Sequence, residues 1–213
     1  MYVKVCGITH LDDALAAIEA GADVLGFNCV PESKRYLDPV RTRALVAEVR
    51  GKALCVAVVA NLTRAQAEAL FLELGVDRLQ LHGDEPPVQV EALSPRAFKA
   101  LRVKTAADIS AAAAFPGHPL LLDAKVEGQL GGTGHCIDWP LVAPLAEARP
   151  LILAGGLTPE NVAQAVRIVQ PWGVDVASGV DSEHDPRRKD AAKMRRFVEA
   201  AQRVALPRHA LSF

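Results

Sequence analysis

The chain is 213 residues long, half of them hydrophobic, and carries a formal net charge of −1. That length and apolar content are enough for a well-packed core. The near-neutral balance, with no basic stripe, excludes nucleic acid and acidic membrane surfaces as expected partners. No run reaches the ~18 continuous apolar residues of a membrane span, and the N-terminus lacks the basic and long apolar regions of a secretory signal. A cytoplasmic protein is therefore expected.

The first predicted strand is YVKVCGI (2–8), a short run of branched residues that breaks at Gly7 and carries one thiol, Cys6. Behind it, THLDDALAAIEAG (9–21) reads as a helix with Thr9 as N-cap, acids in the first turn and Gly21 as its stop. Its Leu11, Leu15 and Ile18 fall on one face at helical spacing. Further strands are predicted at VLGFNCV (24–30), LCVAVVAN (54–61), RLQLHG (78–83), FKALRV (98–103), PLLLDAK (119–125), PLILAGG (150–156) and VDVASG (174–179). Helices lie between them. LTRAQAEALFLELG (62–75) has Thr63 as cap and Gly75 as stop, and LTPENVAQAVRIVQ (157–170) has Thr158 as cap with Pro159 at the first helical position. The run DPRRKDAAKMRRF (185–197) mixes charge signs and reads as a solvated helix face.

Eight strands alternating with about eight helices imply parallel strands joined by crossovers. No linker or composition shift divides the chain, so residues 1–213 are expected to form a single (β/α)8 TIM barrel. A doubly wound open sheet is the runner-up, but the first strand is not followed by its G-x-G-x-x-G phosphate loop. In a barrel, alternate strand residues point inward or toward the helices. Val3, Val5, Leu120, Leu122, Val174 and Val176 then face outward. Lys4, Cys6, Leu121, Asp123, Asp175 and Ala177 face inward, with Cys6 and Asp123 at the C-terminal end where barrel enzymes hold their chemistry.

Several residues at that end have chemistry. Gly155 and Gly156 follow the seventh strand, and Ser178 and Gly179 follow the eighth. Backbone N–H groups from two such loops can converge on a phosphate. Asp123 could serve as a general acid if burial favours its protonated form, or could cap the loop behind it. Cys6 could act as a base through its thiolate, or could be a packing residue. Arg35, in the loop after the second strand, is suited to a two-pronged grip on a carboxylate. His82 ends the fourth strand, where it either meets ligand or bonds to backbone. The histidines form no i,i+4 pair and no H-E-x-x-H, so no metal is expected. Cys6, Cys29, Cys55 and Cys136 have no metal-site spacing and are expected as free thiols, Cys29 and Cys55 as packing residues.

Taken in order, VKVCGIT, GADVLGFNCVPESKRYL, LQLHGDE, LLLDAKVEGQLGGTG, DW, LAGGLTPENV and DVASGVD resemble the phosphoribosylanthranilate isomerase family over about nine-tenths of the chain. The resemblance implies a (β/α)8 barrel with no metal and no organic cofactor, acting on N-(5'-phosphoribosyl)anthranilate in tryptophan biosynthesis. It implies an Amadori rearrangement to 1-(2-carboxyphenylamino)-1-deoxyribulose 5-phosphate, with Asp123 as general acid and Cys6 as general base. It assigns the anthranilate carboxylate to Arg35 and the phosphate to Gly155, Gly156, Ser178 and Gly179. Gly131 and Gly132 would help close the site. Asp175 would contact a substrate hydroxyl or support other site residues, with Lys4 as a candidate partner, and His82 is a further candidate contact. Either a monomer or a homodimer fits the family.

The chain departs from the family pattern at PESKRYL, where a proline commonly stands beside the arginine, and at Ala177 and Asp181, where Ser and Glu are frequent. Two other barrels run related chemistry. A histidine-pathway aminosugar phosphate isomerase uses two carboxylates and two phosphate loops, and a ribulose-phosphate epimerase wants metal-binding histidines. A non-catalytic phosphate-ligand binding barrel would keep the glycine loops without needing both Cys6 and Asp123.

Overall fold

The computed structural model describes residues 1–123 and 139–205. Eight parallel strands close into a barrel in chain order: β1 (Tyr2–Cys6), β2 (Val24–Asn28), β3 (Leu54–Val59), β4 (Arg78–Leu81), β5 (Ala97–Arg102), β6 (Leu120–Asp123), β7 (Leu151–Ala154) and β8 (Gly173–Val176). Among the described residues eight helices surround them: α1 (Leu11–Glu19), α2 (Pro39–Val49), α3 (Arg64–Leu74), α4 (Pro87–Leu93), α5 (Ala106–Ala112), α6 (Trp139–Ala148), α7 (Val162–Val169) and α8 (Ala191–Val204). A short 3-10 turn, Ser178–Val180, follows β8. The expected TIM barrel is the fold of the chain.

Strand alternation separates two apolar layers. Val3, Val5, Leu120, Leu122, Val174 and Val176 pack with the helices in the larger core. Val24, Val56, Phe98, Ala100, Leu121, Ile152 and Ala154 fill the barrel interior. Tyr2 and Trp172, stacked with centroids 4.3 Å apart, plug its N-terminal end. The inner filling is apolar at the bottom and charged toward the C-terminal mouth, where Lys4 and Asp175 replace the hydrocarbon.

Three local expectations need correction. Thr9 does not cap α1: the N-cap is His10, which makes no side-chain cap bond. The Thr9 hydroxyl instead donates to the Arg187 carbonyl. Leu11 and Ile18 of α1 pack on the core as expected, but Leu15 is 40% exposed. The buried residues of the helix are Asp13, Ala14 and Ala17, and the small ones among them let it lie close on the strands. The helix after β7 begins at Val162, with Asn161 as its N-cap. Asn161 Oδ1 accepts from the Thr158 N–H at 2.8 Å and its Nδ2 donates to the Gly156 carbonyl at 2.9 Å. Residues 158–161 therefore form a turn ahead of the helix. The expectation for α3 holds. Thr63 and Gln66 form a capping box, and Gly75 ends the helix in the left-handed conformation at φ 63°.

One ion pair props the loop that follows β4. Lys99 Nζ donates to Glu85 Oε2 at 2.7 Å and to the carbonyls of Leu81 and Gly83, with both side chains 1% exposed. Glu85 accepts in turn from the backbone N–H groups of Asn61 and Gly83. This holds the loop beyond His82 against the end of β3. Replacing Glu85 by Ala leaves the Lys99 ammonium buried and unpaired. The expected cost is about 3–5 kcal/mol of unfolding free energy, read from urea denaturation.

Candidate active site

Cys6 closes β1 on the inward face, opposite Gly26 of β2 in the strand register. A Cβ built on Gly26 would lie 2.8 Å from Cys6 Sγ and 3.0 Å from Lys4 Nζ. The missing side chain is thus the space in which thiol and ammonium meet. Lys4 is 1% exposed and donates to Asp175 Oδ1 at 2.9 Å. Burial works against its charge, but the carboxylate of Asp175 and the thiol group of Cys6 outweigh burial, and the net shift of its pKa is upward. Lys4 is therefore a fixed cation beside the Cys6 sulfur. The partner expected for Asp175 is the one found.

Asp123 ends β6 facing the same interior, three strands round the ring from β1 by way of β7 and β8. His82 Nε2 lies 3.6 Å from Asp123 Oδ2, and Gln80 Nε2 lies 3.3 Å from His82 Nδ1. Burial pushes the His82 pKa down to about 4, helped by the nearby cations Arg102, Lys4 and Lys99 and opposed by Asp175. At neutral pH the imidazole is uncharged, so its contact with the Asp123 carboxyl is not an ion pair. The alternative of a histidine bonded to backbone is replaced by a side-chain pairing with Gln80.

The loops after β7 and β8 lock together. Gly155 and Gly156 adopt φ 89° and 67°, conformations that favour glycine. A Cβ on Gly179 would overlap the Leu157 carbonyl oxygen, so the loop carrying Ser178 and Gly179 lies directly on the one carrying Gly155 and Gly156. The four residues expected at a phosphate rim are brought together in this way. Gly131 and Gly132 lie outside the described residues, as does Cys136.

Arg35 reaches this mouth from the loop after β2. The loop is organised by Ser33, whose N–H donates to the Val30 carbonyl at 3.0 Å and whose hydroxyl accepts from the Arg35 N–H at 3.2 Å. Those bonds shape a segment that has no proline next to Arg35. The Arg35 side chain crosses Gly7, where φ is 78° and a Cβ would collide with Arg35 Cδ. Its guanidinium pairs with Asp181, whose second oxygen accepts from Lys189 Nζ at 2.8 Å. Among the described residues no cluster of three His, Cys, Asp or Glu side chains is arranged to hold a metal. No described helix is long and apolar enough to cross a membrane.

The family model for N-(5'-phosphoribosyl)anthranilate (PRA) isomerase matches residues 3–200. The chain belongs to the phosphoribosylanthranilate isomerase family. The enzyme of that name from Magnetococcus marinus is 46% identical over 202 residues, covering 95% of each chain. One from Pseudomonas fluorescens is 43% identical over 93% of this chain and 94% of its own. Among solved structures, phosphoribosyl anthranilate isomerase from Thermotoga maritima matches with a TM-score of 0.86 at 37% identity, over 95% of this chain and 98% of that one. A phosphoribosyl anthranilate isomerase solved with reduced 1-(o-carboxyphenylamino)-1-deoxyribulose 5-phosphate matches with a TM-score of 0.83 at 35% identity, over 95% and 98%.

Within this isomerase fold, sequence reasoning missed Asp181 and Lys189. Lys189 sits in the run read as a solvated helix face, yet its side chain is 0% exposed. Helix α8 begins only after Asp190, its N-cap, so Lys189 belongs to the loop and turns inward. Nothing in the charge pattern separates it from Arg187 and Arg188. Arg188 does lie outward, on Asp13.

Cys29 and Cys55 behave as packing thiols, and burial pushes the Cys55 pKa up to about 12. A cavity of about 550 Å³ opens at the opposite, N-terminal end of the barrel. Its Asp23 and Asp77 carboxylates are already engaged by the backbone N–H groups of Val3 and Cys55.

The lowered His82 pKa fixes a sign. The unfolded imidazole, with its ordinary pKa of about 6.5, takes up a proton before the folded one does. Stability present above pH 6.5 is therefore lost as pH falls toward 4. In His82→Gln the slope of unfolding free energy against pH over that window is expected to flatten, as read from denaturant titrations at fixed pH.

Proposed function

We propose that this chain, an isomerase of tryptophan biosynthesis, converts N-(5'-phosphoribosyl)anthranilate to 1-(2-carboxyphenylamino)-1-deoxyribulose 5-phosphate through Asp123 as general acid and Cys6 as general base. Asp123 gives a proton to the furanose ring oxygen. The C1'–O bond breaks as the nitrogen lone pair forms a C=N bond, leaving a protonated Schiff base. That iminium acidifies the neighbouring C2'–H. The Cys6 thiolate takes this proton, and the C–H electron pair forms the C1'=C2' bond of an enolamine and neutralises the iminium. Tautomerisation gives the ketone.

The observation that carries the reading is the inward placement of thiol and carboxylate at the ends of β1 and β6, each beside a group suited to its role. Lys4 supplies positive charge next to a sulfur that must be anionic to accept a proton. Neutral His82 lies beside an acid that must keep its proton. Gly155, Gly156, Ser178 and Gly179 hold the phosphate on the joined loops, and Arg35 takes the anthranilate carboxylate. Asp175 acts through Lys4. His82 is a further substrate contact. The reaction needs no cofactor, and the protein works in the cytoplasm as a monomer or a homodimer. A Thermotoga maritima relative is described as a dimeric isomerase.

Cys6→Ser and Asp123→Asn are each expected to lower kcat about 10²–10⁴-fold, measured as loss of phosphoribosylanthranilate fluorescence. The parent gene should restore growth of a tryptophan auxotroph lacking this step, and neither variant should. A purely phosphate-binding barrel would show no turnover at all.

A further inference from the structure

We propose that Asp181, backed by Lys189, positions Arg35 and thereby sets the enzyme's selectivity for a substrate bearing the aromatic carboxylate. The inference rests on the reading above that Arg35 meets that carboxylate.

Arginine on a loop is a poor ligand unless something holds it, because its flexible side chain loses rotamer freedom when fixed. Here it is held from two sides. Gly7 provides a shelf without a side chain, one residue past Cys6, and the aliphatic stem of Arg35 lies across it. Asp181, just past the 3-10 turn after β8, takes the guanidinium through Nη2. The two side chains are only 12% and 10% exposed. Asp181 is itself fixed. Its other oxygen accepts from Lys189 Nζ at 2.8 Å, which also donates to the Ala177 carbonyl at 3.0 Å. Its backbone N–H donates to the Ser178 carbonyl, and its carbonyl accepts from Lys193 Nζ.

The charges make the arrangement selective. Two cations share one carboxylate, leaving one positive charge in excess at a nearly dry site. Arg35 Nε is buried and makes no hydrogen bond. A monoanionic carboxylate on the substrate completes this cluster, while a neutral ring leaves the excess charge unanswered. Asp181 meets the Ser178–Gly179 loop only through its backbone N–H, a bond that an exchange of its side chain keeps.

The test compares kcat and KM for phosphoribosylanthranilate and for its decarboxy analogue, N-(5'-phosphoribosyl)aniline. Asp181→Asn should raise KM for the anthranilate substrate about tenfold and change kcat less than threefold. It should leave the aniline analogue unaffected, so the ratio of the two kcat/KM values falls about tenfold. Asp181→Glu, which keeps the charge, should retain most of that ratio. If Lys189, left unpaired, prevents Asp181→Asn from folding, the Asp181→Asn/Lys189→Met double variant removes both charges and is read in the same way. Arg35→Met serves as the reference. If Arg35→Met lowers the ratio and the Asp181 variants do not, the positioning role is overturned and the Arg35 assignment stands. If Arg35→Met leaves the ratio unchanged, the Arg35 assignment itself fails, and the inference with it.

Discussion

A closed barrel requires its last strand to find its first, and in this molecule that seam carries an ion pair. Lys4 of β1 stands in register with Asp175 of β8, and their side chains meet at 2.9 Å inside the barrel. Neither charge would be tolerable alone in so dry a place. Together they fix the registry of the two strands and replace apolar filling with polar filling just below the mouth. Everything above depends on that substitution. The sulfur of Cys6 rests against the same ammonium, in a gap that exists because β2 offers Gly26 at the facing position.

The mouth is fastened across the same seam by a second set of contacts. The loop between β8 and α8 is tied to α1 through Arg188 and Asp13, and the Lys189 N–H donates to the same carboxylate at 3.0 Å. It is tied to the loop after β2 through Arg35 and Asp181, and through Arg187, whose guanidinium donates to the Tyr36 carbonyl. Most of these partners are more than a hundred residues apart in the chain. They become neighbours only because the ring closes, so closure and site assembly are one event.

Much of this was legible in the sequence, for reasons that are local. Each strand is a short branched run ended by a turn former, and period-two alternation assigned Val3 and Val5 to the helices and Lys4 and Cys6 to the interior. The glycines after β7 and the capping box at Thr63 are likewise written in a few adjacent residues. Where the reading failed, the deciding contact was distant. Thr9 looked like a cap, but Arg187 supplies an acceptor from the far end of the chain. Thr158 looked like another, but Asn161 reaches back to Gly156 and delays the helix. Lys189 looked like solvated charge, because only the folded ring brings Asp181 and Arg35 to it. The pairing of Lys4 with Asp175 was within reach because both charges fell on inward positions, where each needs a neighbour.

The groups proposed for proton transfer and those proposed for recognition have different kinds of anchorage. Cys6, Lys4, Asp123 and Asp175 are strand residues, held by backbone ladders that run the whole way round the sheet. Arg35, Ser178, Gly179, Asp181 and Lys189 stand on connecting segments whose shape is set by a handful of side-chain bonds. Divergence can thus proceed at two speeds. Insertions or exchanges in the connecting segments can reshape the rim of the mouth, while Cys6 and Asp123 stay seated in the strand ladders.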